Sequence, residues 1–374
     1  MRRPAAFALA ASILLAACSS AGGDGVLFEV SRDQPARPPT PAAGPASAPA
    51  APAGPAAAEP PPVAVPTLPL NGCPPPPPRP GPGGTTTAPP FVPPRLVPEA
   101  ELPEPLAPGQ WSPHLAPLEG KGMWLWKYFQ SEGGNPDAIV AKAADAGLRQ
   151  LWVRIGDSKD GFYAKSVLDA LVPRAHRRGI AVIGWGFPFL HDPVGDAQWT
   201  AEALAWRSPA GDTLDGFSPD IELATEGVAL SARRAQVYLG LVRKAAGSRL
   251  VVATVYRPSD RLWPASYPYG AIAPYVDAFA PMVYWACLEP GQTAVQAVER
   301  LRTLRPVHVI GQGWDMSFDG GRGAAPDALE TSRFLDASRR QGALGGSFWV
   351  WHLMGGEQWS ALAAFPWPAA ATGS

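Results

Sequence analysis

The chain is short of everything that would mark a nucleic-acid binder, a metalloprotein or a disulfide scaffold. Its 31 Lys and Arg are balanced by 32 Asp and Glu. They form no long basic run, so a phosphate backbone finds no cluster of cations. Three cysteines, Cys18, Cys73 and Cys287, are too few for a disulfide framework, and no C-x-x-C pair offers a zinc ribbon. Cys73 and Cys287 are available to pair with each other in an oxidising compartment. The five histidines are scattered along the sequence, which speaks against a multi-His metal cage. Neither a metal nor a cofactor is expected.

Proline is plentiful but unevenly placed. Of the 47 prolines, 29 lie in residues 1–110, whereas all 14 tryptophans lie after residue 110. The chain therefore divides into a Pro/Ala-rich leader and one aromatic-rich domain, residues 111–374. Within the leader, Arg2 and Arg3 precede an apolar run over residues 4–17 that is too short to span a bilayer. That run ends Leu15-Ala16-Ala17-Cys18 and resembles a bacterial lipoprotein signal. The resemblance implies cleavage after residue 17, acylation of Cys18, and an extracytoplasmic protein anchored to a cell membrane or outer membrane. Residues 18–110 carry almost no apolar periodicity, and runs such as Pro74-Pro75-Pro76-Pro77-Pro78 favour polyproline II. A passive spacer is preferred there over a Pro-motif ligand.

The domain alternates Val/Ile/Trp/Phe-rich runs with helical stretches. Strands are predicted near 120–126, 150–155, 180–187, 216–222, 250–256, 278–285, 307–313 and 345–351. Helices are predicted at 136–146, 164–178, 197–207, 231–246, 265–275 (the poorest), 294–303 and 325–341. Asn135-Pro136 forms an N-cap with proline in the first turn, and Gly147, Gly179 and Gly342 stand where helices should stop. Eight β-then-α units in this length predict a (β/α)8 TIM barrel. A doubly wound open sheet is the competitor, but Trp126-Lys127-Tyr128 after the first strand is no Gly-rich phosphate turn.

Barrel chemistry belongs at the C-terminal ends of the strands. The fourth predicted strand carries Asp215-Gly216-Phe217-Ser218-Pro219-Asp220-Ile221-Glu222. Residues two apart share a face of a strand, so Ser218, Asp220 and Glu222 should all point inward, with Glu222 nearest the mouth. Two carboxyls that close do not both ionise cheaply, and one proton should stay available near neutral pH, as a general acid requires. A structural acid pair at a strand end is the bland alternative.

This run resembles the signature of family 18 glycoside hydrolases, the chitinase-like enzymes, Asp-Gly-x-Asp-x-Asp-x-Glu. Met282-Val283-Tyr284 resembles their sixth-strand Met-x-Tyr, and Gly345-Gly346 followed by Trp349 and Trp351 resembles their eighth strand. The chain departs at Ser218, where the family has an acid, and at Trp285, where it has Asp or Asn. The resemblance implies that Glu222 protonates the departing glycosidic oxygen and later activates water. It implies that Asp220 orients a substrate acetamido group, whose carbonyl attacks the anomeric carbon, and that Tyr284 donates to that carbonyl.

Sugar rings stack their C–H faces on indoles, so Trp126, Trp285, Trp314, Trp349 and Trp351 at or beyond predicted strand ends are candidate platforms. Trp124, Trp152 and Trp185 fall mid-strand and are expected in the core. Gln312 is a candidate hydroxyl ligand. Asp157 is either a second site acid or a loop cap. His191-Asp192 is better read as a turn before Pro193 than as a substrate contact, and Arg154 as a buried partner for an acid.

Three function classes follow. The first is a monomeric, lipid-anchored glycoside hydrolase acting on a polysaccharide such as chitin or peptidoglycan glycan. The second, suggested by Ser218 and Trp285, is a barrel that binds glycan without turnover. Hydrolysis of a non-sugar bond on the same scaffold is a third, since fold does not fix function.

Overall fold

In a computed structural model, residues 95–111, 113–316 and 322–367 are described. The signal sequence, Cys18 and Cys73 lie outside them. Cys287, exposed in a loop, is disulfide-bonded.

The alternation in the sequence produces strands β1 (Gly120–Leu125), β2 (Leu148–Asp157), β3 (Gly161–Phe162), β4 (Ala181–Phe187), β5 (Gly216–Ile221), β6 (Leu250–Tyr256), β7 (Ala278–Val283), β8 (His308–Gln312) and β9 (Gly345–Trp349). The α-helices are α1 (Pro136–Asp145), α2 (Lys165–Arg177), α3 (Pro193–Ala205), α4 (Ala232–Ala246), α5 (Tyr269–Ile272), α6 (Pro290–Leu301), α7 (Ala328–Arg340) and α8 (Gly356–Ala364). Eight strands run parallel in the order β1-β9-β8-β7-β6-β5-β4-β2, and β1 pairs with β2 as well as with β9, so the sheet closes on itself. This is the (β/α)8 barrel the sequence predicts. The short β3 is an antiparallel addition to the end of β2.

Local signals explain most boundaries. Asn135 accepts from the amides of Asp137 and Ala138, with Pro136 beginning α1. The same device recurs at Asp192-Pro193 and Glu289-Pro290, which is why α3 and α6 begin before Ala197 and Ala294. Gly147, Gly179 and Gly342 follow α1, α2 and α7 with φ of 65°, 65° and 84°, the left-handed conformation that stops a helix. The expected helix over 265–275 shrinks to α5 plus a 3-10 turn, because Pro268 and Pro274 interrupt it.

Strand alternation sorts the core into two layers. Leu151, Val153, Phe217, Ile221, Val251 and Val255 face the helices, while Trp124, Trp152, Ile183, Trp185, Val252, Ala280 and Ile310 fill the barrel. Trp124 stacks on Trp152 at 4.7 Å and meets Trp185 at 5.5 Å, so three indoles plug the lumen, as expected for mid-strand tryptophans. The mouth is therefore a depression above a solid floor.

Residues 95–111 are packed against the barrel's helices, although their prolines read as the end of a linker. The Val97 amide donates to His191 O at 2.9 Å, and the Tyr275 hydroxyl to Leu106 O at 2.9 Å. Gly240 of α4 lies so close to Leu106 that a Cβ there would sit 3.2 Å from the leucine Cβ. The Trp111 indole donates to Asp277 and lies 4.2 Å from the Arg243 guanidinium. Residues 95–110 are thus packed together with the domain that follows them.

Arg243 and Asp277 form a buried pair at 2.7 Å, and the same Asp277 oxygen accepts from the Val251 amide. Removing one partner strands the other charge. R243M is expected to lose about 3–5 kcal/mol of stability, measured by guanidinium unfolding; a loss too small to resolve would show that Asp277 needs no cation.

Candidate active site at the barrel mouth

β5 builds the site by parity. Phe217 and Ile221 face the helices, so Ser218 and Asp220 face the lumen. Glu222 continues the alternation one residue past the strand and is half-buried at the mouth. Ser218 is fully buried; its hydroxyl donates to Val252 O at 2.8 Å and pairs with Thr254 Oγ1 at 2.8 Å. It is a strand-to-strand tie.

Asp220 is 6% exposed, and its Oδ1 has no hydrogen-bond partner. Burial pushes this carboxyl up to about 7; the Arg154 charge opposes the rise and Glu226 adds to it. Asp220 therefore keeps its proton to a much higher pH than a free carboxyl does. The Tyr256 hydroxyl, at the end of β6, hydrogen-bonds Glu222 and Thr225, and burial together with the Glu222 and Glu226 charges drives that phenol well up. Tyr267, fully buried behind the site, feels both Glu222 and Asp220, and its hydroxyl donates to Ile221 O at 2.6 Å. Glu222 is thus bonded by a side chain of β6, on the side of the mouth where Asp220 lies.

Across the mouth lie the indoles. Trp349, at the end of β9, is half-buried and touches Trp124 at 5.9 Å, Trp185 at 5.2 Å and Trp126 at 5.7 Å. Trp126 is 39% exposed and stacked on Trp349 with an interplanar angle of 26°. Lys127 lies 5.0 Å from the Trp126 ring. Tyr284, past the end of β7, is half-buried and meets Trp314 edge-on at 4.7 Å.

β2 contributes Arg154 and Asp157. Residues three apart in a regular strand face opposite ways, but a bulge between Arg154 and Gly156 brings both to the same side. They pair at 3.0 Å. The second Asp157 oxygen accepts from the amides of Lys159 and Asp160, so Asp157 does cap its loop. The Arg154 guanidinium lies over Trp185 at 4.7 Å.

Three expected substrate contacts are occupied elsewhere. Trp285 is fully buried, tilted on Phe334 at 5.2 Å and bonded to Glu330 at 3.2 Å; since Tyr284 faces inward, its neighbour must face the helices. Trp351 is 2% exposed, bonded to Glu132 and packed on Trp359. β9 ends at Trp349 and a 3-10 turn follows, so strand alternation does not reach Trp351. Gln312 points inward but is sealed, accepting from the Ala286 amide and donating to Trp314 O. His191 meets Gly227 O and Asp192 caps α3, the turn expected before Pro193.

No protein-family model and no curated protein sequence matches the chain. Several solved structures align with it. A class V chitinase from Pseudomonas fluorescens Pf-5 is 12% identical, with a TM-score of 0.47 over 65% of this chain and 98% of that one. A family GH18 chitinase from Cycas revoluta, in complex with allosamidin, is 12% identical, with a TM-score of 0.49 over 65% and 98%. An endo-1,4-beta-mannanase from Rhizomucor miehei is 10% identical, with a TM-score of 0.48 over 62% and 86%. The closed barrel rests on its own strand pairing.

Tyr267 and Glu226 join the site without having been candidates, whereas Tyr256 stands at the end of a predicted strand, where barrel chemistry is expected. Tyr256 was accessible from parity, since it follows Val252 and Thr254 on the lumen face of β6. Glu226 and Tyr267 come from loops, where no periodicity announces a direction. Among the described residues, no group of three or more His, Cys, Asp or Glu side chains is arranged to hold a metal ion.

Proposed function

We propose that this chain is a glycoside hydrolase of the cell envelope, acting on a polysaccharide with N-acetylated sugars, and that Cys18 carries its lipid anchor. The observation that carries the reading is the pairing of two unlike carboxyls on one strand face. Asp220 is buried and raised, Glu222 is nearer solvent, and both lie in a mouth whose opposite side is exposed indole. Glu222 gives its proton to the departing glycosidic oxygen and takes one back from the attacking water. Asp220 in its anionic form accepts the N–H of the substrate's acetamido group, turning that group's carbonyl oxygen toward the anomeric carbon. Bond cleavage then leaves an oxazolinium-type intermediate, which water opens. The stacked Trp126 and Trp349 offer a ring face to the sugar.

The test is release of reducing ends from chitin oligosaccharides and from peptidoglycan glycan strands by the wild-type protein. A second reading is favoured by Ser218, an already satisfied hydroxyl where a second buried acid would strengthen proton relay: a barrel that binds these glycans without cleaving them. Calorimetric binding with no hydrolysis over long incubation would establish that reading and exclude the first.

The W126A variant separates binding from chemistry. It removes the most exposed indole of the mouth, so KM is expected to rise roughly threefold to tenfold with kcat changed less. An unchanged KM would place the sugar away from the Trp126 side.

A further inference from the structure

We propose that Arg154 is a positioning residue of this site, whose guanidinium, turned into the mouth on β2, holds Asp220 in the anionic form that the reaction uses. The inference rests on the hydrolase reading above for its purpose, though not for its measurement.

The register of the barrel sets the two groups facing each other. Arg154 is level with Trp185 on β4, and Trp185 is level with Ser218 on β5. Asp220 is the next lumen-facing residue above Ser218. The guanidinium lies on the Trp185 ring at 4.7 Å, on the strand between β2 and β5, and its charge acts on Asp220. Neither group is used up. Asp157 takes one terminal nitrogen of Arg154, while the buried Nε has no hydrogen-bond partner; on the other side, the buried Asp220 Oδ1 has none either.

Among the described residues, the cation whose charge acts on Asp220 is Arg154. The groups facing Asp220 are Glu226 from the loop after β5, Glu222 just past the end of its own strand, Thr254 of β6, and Tyr267. Of these, Glu226 opposes ionisation, and Tyr267 is a neutral phenol. Ser218, spent on Val252 O and Thr254, offers Asp220 nothing. Those facing Arg154 are Asp157, Tyr163, Trp185 and Phe187. Asp157 therefore competes with Asp220 for the same positive charge, and this gives the proposal a second, opposite handle. An acetamido N–H needs a carboxylate acceptor, so a barrel that buries Asp220 this deeply needs a counter-charge to keep it competent.

The experiment is a carbon-13 titration of the Asp220 carboxyl in the full chain, assigned by the signal lost in D220N. In R154M, which keeps the stacking volume without the charge, the midpoint is expected to rise by about one pH unit or more. R154K is expected to stay near wild type. D157N frees the guanidinium and is expected to lower the midpoint. A role in packing alone predicts none of these movements, and a midpoint unchanged in R154M overturns the proposal. Should R154M fail to fold, D157N decides: a fall supports it and no movement overturns it. The carboxyl is read directly, so the result stands whether or not the wild type cleaves glycan. Where it does, the acid limb of kcat should move to higher pH in R154M and return in R154K.

Discussion

Replacing Glu222 with glutamine is expected to reduce glycan hydrolysis by about 10²–10⁴-fold, the usual contribution of a general acid–base group, while leaving the fold in place. The side chain is isosteric and half-buried at the end of β5, and its known hydrogen-bond neighbour, Tyr256, can donate equally to an amide oxygen. Folding is therefore insensitive to the change, and activity is not. The loss should fall on kcat, because the proton is delivered in the transition state and not on binding. Binding of an intact oligosaccharide, followed by calorimetry, should persist. Wild-type rates in E222Q, with circular dichroism and Tm also unchanged, would remove Glu222 from the mechanism and assign the proton transfer to another group.

The parts of this site that could be read from the sequence are those governed by strand parity. Ser218, Asp220 and Glu222 share a face because they are two apart on one strand, and the alternation holds through the end of β5. The same rule, applied to adjacent residues, separates Tyr284 from Trp285; the latter's indole was an attractive platform only while its direction was ignored. Parity fails where a strand stops or is interrupted. β9 gives way to a 3-10 turn after Trp349, which sends Trp351 to the helix layer. The bulge in β2 brings Arg154 and Asp157 together against the simple count. Gln312 shows a different limit: a polar side chain at a strand end resembles a ligand contact, but the backbone groups of two loops claim it first. Residues 95–111 were masked by composition. Their prolines continue the leader, while the contacts that seat them, such as Leu106 with Tyr275 and Trp111 with Asp277, join residues 169 and 166 positions apart.

Asp220→Asn is expected to uncouple stability from activity, in a direction that depends on pH. The folded protein holds the Asp220 proton up to about 7, against 3.8 for the free group. Below pH 4 both folded and unfolded chains carry the proton, and burial of the carboxyl costs no ionisation energy. As pH rises from 4 to 7 the unfolded chain releases its proton first, so the unfolded state gains relative to the folded one. Stability is lost across that window and stays lost above it. A displacement of this size corresponds to up to about 4 kcal/mol. Asparagine has no proton to release, so the stability difference between D220N and wild type should widen in favour of the variant by up to that amount from pH 4 to pH 8. Asp196, raised to about 6 by burial, imposes the same slope on both proteins and cancels in the comparison. Hydrolysis, in contrast, should fall sharply in D220N at every pH, since an amide cannot supply the anionic acceptor that orients the acetamido group. Guanidinium unfolding of the two proteins at pH 4 and pH 8, beside their rates on a chitin oligosaccharide, reads both effects. A barrel in which Asp220 were only a structural acid would lose stability on this substitution at pH 8, because the partners of such a group would outweigh its burial. The unpartnered Oδ1 predicts the reverse: on the proposed hydrolase reading, the charge is kept at the expense of the fold for the sake of the chemistry at the mouth.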